Sequence, residues 1–120
     1  MVRNETYDVA RQIVNHALSK KAGNVVLMDL RDISPVTDFF IICEGDSDVQ
    51  VKAISEAILE GARNDDLRPW HKEGFDYLRW VLLDYVDIVV HVFQKDVREF
   101  YGLERFWGDA KIEYFQESAG

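Results

Sequence analysis

Three histidines, one cysteine and several carboxylates are the residues of this chain whose types could do chemistry. His16 falls in a helical pattern, His71 in a short extended segment and His91 in an apolar run. No two share the local spacing of a metal pair, and no cysteine stands beside them, so no metal is expected. His91 alternates with Val90 and Val92, faces away from the side they bury, and lies beside Trp80; it reads as a hydrogen-bonded sheet histidine. Cys43 ends the run Phe39-Phe40-Ile41-Ile42, which makes it a buried thiol in a strand rather than a nucleophile. Gly45-Asp46-Ser47 sits at a strand-to-helix turn, where a nucleotidyl-transfer site would begin. Such a site needs carboxylates close enough to share divalent ions, and the neighbouring strand offers Val89, His91 and Phe93 instead. Asp46 and Asp48 are residues favoured near a positive helix N-terminus, and one glycine is far from a phosphate-cradling loop. Ser34 and Ser47 have no local base, and Asp84 and Asp87 suit a turn. No catalytic residue and no cofactor are therefore expected; the alternative is a nucleotide-binding or nucleotidyl-transferring enzyme.

The elements that position these residues follow from periodicity. Val9, Ala10, Ile13, Val14, Ala17 and Leu18 form one apolar stripe of a helix over residues 5–21, with Asn4 as its cap and Ala22-Gly23-Asn24 as its stop. A strand follows over Val25–Arg31. After the Ser34-Pro35 loop, Phe39–Glu44 is a continuous apolar run, the mark of a strand buried on both faces. Ser47 with Gln50 three residues on has capping-box spacing and opens a helix to about Arg63, with Val51, Ile54, Ala57 and Ile58 inward. Trp70–Glu73 is a short strand, and Asp96–Gly108 a final helix or pair of helical turns. The segment beyond Ala110 carries no assigned element, and Glu117–Gly120 is expected to fray. The order α-β-β-α-β-β-β-α predicts an α/β (α+β) fold, a mixed sheet of about five strands covered by helices, in a single domain over 1–120 with its core at about 5–110.

Between them, Trp80–Phe93 reads as two strands joined by a tight acidic corner. Folded at Tyr85-Val86, it puts Val81, Leu83, Ile88, Val90 and Val92 on one wholly apolar face, which must be buried. The other face carries Trp80, Leu82, Asp84, Asp87, Val89, His91 and Phe93, with Tyr85 at the tip. Aromatics mixed with carboxylates make a poor core and a partner surface. Core packing is expected to claim Phe106 and Trp107, while periodicity pushes Trp80 and Tyr85 off the core face.

The chain has 120 residues, of which 22 are acidic and 14 basic, for a net charge of −8. That balance opposes binding through phosphate contacts and favours a cationic partner, so no sequence-specific nucleic-acid binding is expected. The longest apolar runs are too short to span a bilayer, and nothing reads as a signal peptide, so no membrane partner is expected. A single cysteine points to a reducing cytoplasm.

Three blocks in order carry a family likeness: Asp32-Ile33-Ser34-Pro35-Val36-Thr37-Asp38-Phe39-Phe40-Ile41-Ile42-Cys43-Glu44-Gly45-Asp46-Ser47, then Trp80–Phe93, then Arg98-Glu99-Phe100-Tyr101-Gly102-Leu103-Glu104-Arg105-Phe106-Trp107-Gly108-Asp109-Ala110. Through them the chain resembles the ribosomal silencing factor family, also called the Iojap or RsfS family, over about residues 5–110. The resemblance implies a non-enzymatic translation repressor of the bacterial cytoplasm. It would bind the fourteenth protein of the large ribosomal subunit and block joining of the small subunit; organelle relatives act in large-subunit assembly. It implies a fold distantly like nucleotidyltransferases without their catalytic carboxylates, and a possible homodimer. Matched by position, it assigns partner binding to Trp80, Asp84 and Tyr85, with Tyr101. Where the family has Gly, this chain has Val86. A two-residue corner wants positive φ there, which a β-branched residue resists, so a wider Asp84–Asp87 loop is the alternative. Gly102 stands where relatives have a polar residue, which loosens the last helix.

Overall fold

The computed structural model describes residues 2–115. In chain order it contains α1 (Val2–Leu18), β1 (Gly23–Asp29), β2 (Phe39–Gly45), α2 (Asp48–Asn64), β3 (His71–Glu73), β4 (Trp80–Asp84), β5 (Ile88–Gln94), α3 (Lys95–Tyr101), α4 (Leu103–Phe106) and β6 (Lys111–Phe115). The strands form one mixed sheet in the order β3-β4-β5-β2-β1-β6. β2 and β5 are parallel, with Ile42 opposite His91, and every other pairing is antiparallel.

Alternation along these strands feeds two apolar layers. On one face, Ile41, Val81, Leu83, Val90 and Val92 pack with Ile13, Val14 and Ala17 of α1 and Val51, Ile54 and Ile58 of α2. On the other, Val26, Met28, Ile42 and Phe93 pack with Val97 of α3 and, at the margin, Phe40, Trp80, Leu103, Trp107 and Ile112. β2 contributes to both, which is why its sequence is apolar throughout.

Local chemistry explains several boundaries. The Ser47 hydroxyl accepts from the Gln50 amide at 3.1 Å, while the Gln50 side-chain oxygen accepts from the Asp46 amide at 2.7 Å, so the capping box closes one residue upstream of its usual partner. The same Gln50 donates to the Lys21 carbonyl at 3.1 Å and ties α2 to the end of α1. Cys43 is buried in β2, and burial pushes its thiol up to about 12.

Three expectations need correction. The sheet has six strands, since Lys111–Phe115 forms an edge strand on β1. Asn4 lies inside α1, which starts at Val2, rather than capping it. Of the two forms expected for Asp96–Gly108, the chain takes the pair of helical pieces, because Gly102 adopts the left-handed conformation (φ 56°) and its amide closes on the Arg98 carbonyl. Phe106 is 78% exposed and takes no part in the core. Glu117–Gly120, expected to fray, lie outside the described residues.

Candidate partner-binding site

The hairpin corner is built by three residues, not two. β4 ends at Asp84 and β5 begins at Ile88, so Tyr85, Val86 and Asp87 make the connection, while the ladder pairs Val81 with Val92 and Asp84 with Val89. The register is two residues off that of a fold at Tyr85-Val86. An even shift leaves every side chain on its face, which is why the face assignment survives. Val86 adopts φ 73°, and the Asp87 amide donates to the Tyr85 carbonyl at 3.0 Å. That pattern is a γ-turn of the strained sense, an outlier for a β-branched residue. Asp84 supports it, its carboxylate accepting from the Val86 amide at 2.8 Å. The Asp87 carbonyl accepts from the amides of Asp38 and Phe39, which anchors the corner to the start of β2.

Tyr85 is not at an exposed tip. It continues the Val81–Leu83 alternation and enters the α1/α2 core at 7% exposure. Its hydroxyl has no hydrogen-bond partner among the described residues, and burial pushes it up to about 12. The alternation Val81, Leu83, Tyr85 was the available signal for this burial.

Trp80 is half-buried at the other end of β4. Its ring centroid lies 4.8 Å from that of Phe93, its cross-strand partner, and 4.8 Å from Tyr101 of α3. Its indole N–H donates to His91 Nδ1 at 3.1 Å. An indole nitrogen only donates, so Nδ1 is unprotonated and the His91 proton sits on Nε2. Nε2 is buried without a hydrogen-bond partner among the described residues, and the ring meets Phe40 edge-on at 4.6 Å. His91 is 4% exposed, and burial lowers it to about 4, keeping it neutral.

Two concavities flank this pair. One, about 630 Å³, is lined by Tyr77, Trp80, Phe100 and Tyr101, with Arg79 and Asp96 3.5 Å apart beside them. The other, about 640 Å³, runs along the hairpin's second face between the Ser34–Thr37 loop and Trp107. Leu82, Val89 and His91 line it, and Val36 (79% exposed), Trp70 (76% exposed) and half-buried Asp84 border it. The structure therefore joins Trp80 with Tyr101, puts Asp84 across the His91 wall in the second groove, and withdraws Tyr85 beneath the corner. Val36, Trp70 and Trp107 are groove residues that periodicity missed, because they arrive from three separate segments.

Tyr101 owes its place to a buried ion cluster. The Arg98 guanidinium donates to the Asn24 carbonyl (2.6 Å), to Glu44 (3.0 Å) and twice to Glu104 (2.9 and 3.4 Å). This fork spans β1, β2, α3 and α4 and fixes α3 against the sheet. The left-handed turn at Gly102 is what folds Glu104 back onto Arg98. Asp46 and Asp48 lie at the N-terminus of α2, where Asp48 accepts from the Val49 amide. Among the described residues no three His, Cys, Asp or Glu side chains group to hold a metal ion, and no helix is long and apolar enough to cross a membrane.

Comparison with known proteins gives consistent matches. The family model described as "Ribosomal silencing factor during starvation" matches residues 3–119. A ribosomal silencing factor of Bacillus subtilis is 47% identical over 93 residues, 78% of this chain and 79% of that protein. A chloroplastic Iojap protein of Arabidopsis thaliana is 31% identical over 113 residues, 88% of this chain and 44% of that protein. Among solved structures, a Bacillus halodurans protein superposes with a TM-score of 0.77 at 40% identity, covering 84% of this chain and 94% of that one. A Chromobacterium violaceum protein gives 0.83 at 26% identity, covering 94% of each.

Proposed function

The chain belongs to the ribosomal silencing factor family, and on that premise we propose that it represses translation by binding the large ribosomal subunit through its fourteenth protein and standing where the small subunit must dock. A ribosome-associated, translation-regulating role comes with the family; the partner and the steric mechanism are our reading. One observation carries it: the hairpin's second face keeps an uncovered apolar groove beside the tilted Trp80–Tyr101 ring pair, on a chain of net charge −8. A basic ribosomal protein is drawn by that charge during encounter and held by desolvated rings and aliphatic surface afterwards.

In this reading Trp80 is the anchor and Tyr101 its backing. Asp84 meets the partner's cations, and Tyr85 holds the corner from within the core rather than by contact. In this reading the protein acts without catalysis, as a single domain in the bacterial cytoplasm, and also forms a homodimer. The test is a subunit-joining assay on sucrose gradients with Trp80→Ala. The variant should bind large subunits about 30-fold or more weakly, as for truncation of a central aromatic, and should fail to keep subunits apart. If it blocks joining as well as the unmodified protein, Trp80 is not the anchor.

A further inference from the structure

His91 occupies a position whose packing an aromatic hydrocarbon ring would also serve. It lies in β5 between Leu82 and Ile42 of the adjacent strands, 4% exposed, stacked near Phe93 (6.1 Å, 13° between planes) and edge-on to Phe40. A phenyl ring would carry no polar atom into that space, though it would leave the Trp80 N–H without its acceptor. The histidine instead buries Nε2 without a hydrogen-bond partner among the described residues. Against that cost it supplies one thing, an acceptor at Nδ1, and Trp80 uses it at 3.1 Å.

The geometry of that bond is long-range within the sheet. Trp80 pairs directly with Phe93, and His91 with Leu82, so the indole reaches His91 along the diagonal of the ladder. The indole of a half-buried tryptophan has two ring orientations about its second side-chain torsion. In the one observed, Nε1 points at His91 and the N–H is satisfied inside the protein. The pair also stands between the two concavities: Trp80 lines the one with Tyr101, and His91 lines the other with Leu82 and Val89. Turning the indole would change both walls at once.

We infer that His91 is the positioning residue of the partner-binding face: by accepting from Trp80 Nε1 it fixes the indole in the orientation presented to the partner. This rests on the reading of Trp80 as the anchor. Two consequences separate it from a packing role. Its contribution to binding passes through the indole N–H, so it vanishes when that N–H is absent. And it follows the acceptor rather than the ring, so an asparagine, whose Oδ1 superposes on Nδ1, keeps it while losing most of the packing.

The experiment is a double-mutant cycle with purified large subunits, using the unmodified protein, His91→Phe, Trp80→Phe and the double variant, with His91→Asn and Trp80→Ala alongside. Binding, melting temperature and the Trp80 indole N–H resonance are read for each. His91→Phe should bind about fivefold to tenfold more weakly, the effect of one lost hydrogen bond, with its melting temperature unchanged or raised and the indole resonance displaced. The double variant should bind no more weakly than Trp80→Phe. His91→Asn should bind within about twofold of the unmodified protein although it melts lower. If His91→Phe binds normally while Trp80→Ala abolishes binding, the inference is overturned and the anchor stands. Fully additive losses in the cycle, or His91→Asn binding as weakly as His91→Phe, overturn it too. If Trp80→Ala binds normally, the anchor itself is wrong and His91 has nothing to position.

Discussion

On one face of the sheet, Val81, Leu83, Val90 and Val92 are wholly buried beneath α1 and α2; on the other, Leu82 and Val89 of the same two strands line an open groove. Composition does not make this difference, since both sets are aliphatic. The covering helices do. α1 and α2 have 17 residues each, about 25 Å of helix apiece, enough to lie along the strands and side by side across most of the sheet. α3 and α4 have seven and four residues, about 10 and 6 Å, and Gly102 turns the second away from the first. Half of the second face is thus roofed, over Phe93 and Met28, and half is left bare. A sheet face can be apolar by the rule of alternation and still be a binding surface, if the element that should cover it is too short.

The two faces should differ most in their response to a pair of substitutions. Leu83→Ala on the covered face should lower stability by about 2–5 kcal/mol, while Leu82→Ala in the groove should cost less than about 1 kcal/mol. Urea denaturation of both variants measures it; equal losses would mean that the groove is as well packed as the core.

Acid should destabilise the fold through His91. The neutral form of His91 is favoured by the fold, which lowers it to about 4 from an ordinary 6.5. Between those values the unfolded chain binds a proton that the folded chain does not, so stability rises with pH. The contribution is fully present above about pH 6.5 and disappears as pH falls through about 4, on the order of 3 kcal/mol in all. Denaturation midpoints from pH 7 to 4 should therefore fall more steeply for the unmodified protein than for His91→Phe. Parallel curves would remove His91 as the source.

The smallest effect sharpens the corner that joins the two faces. Val86 holds φ 73°, a conformation that glycine adopts freely. Val86→Gly should raise stability by about 1 kcal/mol after allowing for glycine's greater freedom in the unfolded chain. A loss on thermal melting would show that the valine side chain contributes more than its backbone costs.

Much of this was readable in the sequence where the signal was local. The apolar stripe of α1, the Ser47 cap of α2, the two-sided burial of β2 and the face assignment of the hairpin all follow from spacings within a dozen residues. What escaped depended on distant partners. β6 has a weak pattern, Lys-Ile-Glu-Tyr-Phe, and is a strand only because β1 lies beside it. The three-residue corner depends on a strained valine that sequence preference argues against. In the site, Trp80 and Tyr101 could be named from a family likeness. The groove could not, because it is assembled from the Ser34–Thr37 loop, Trp70 and Trp107 around the hairpin.

The position of β6 also sets a schedule for synthesis. β1 is made early but finds its second neighbour only when Lys111–Phe115 has emerged, and Tyr7 of α1 must wait for Glu113 to accept its hydroxyl at 2.7 Å. Until then β1 is an unpaired edge, the kind of strand that recruits a second chain. Its outer neighbour carries Lys111 and Glu113, charges that discourage such pairing once the strand has docked. A nascent chain of this protein is thus exposed to aggregation until Lys111–Phe115 has emerged, and a deletion of β6 would prolong that interval indefinitely.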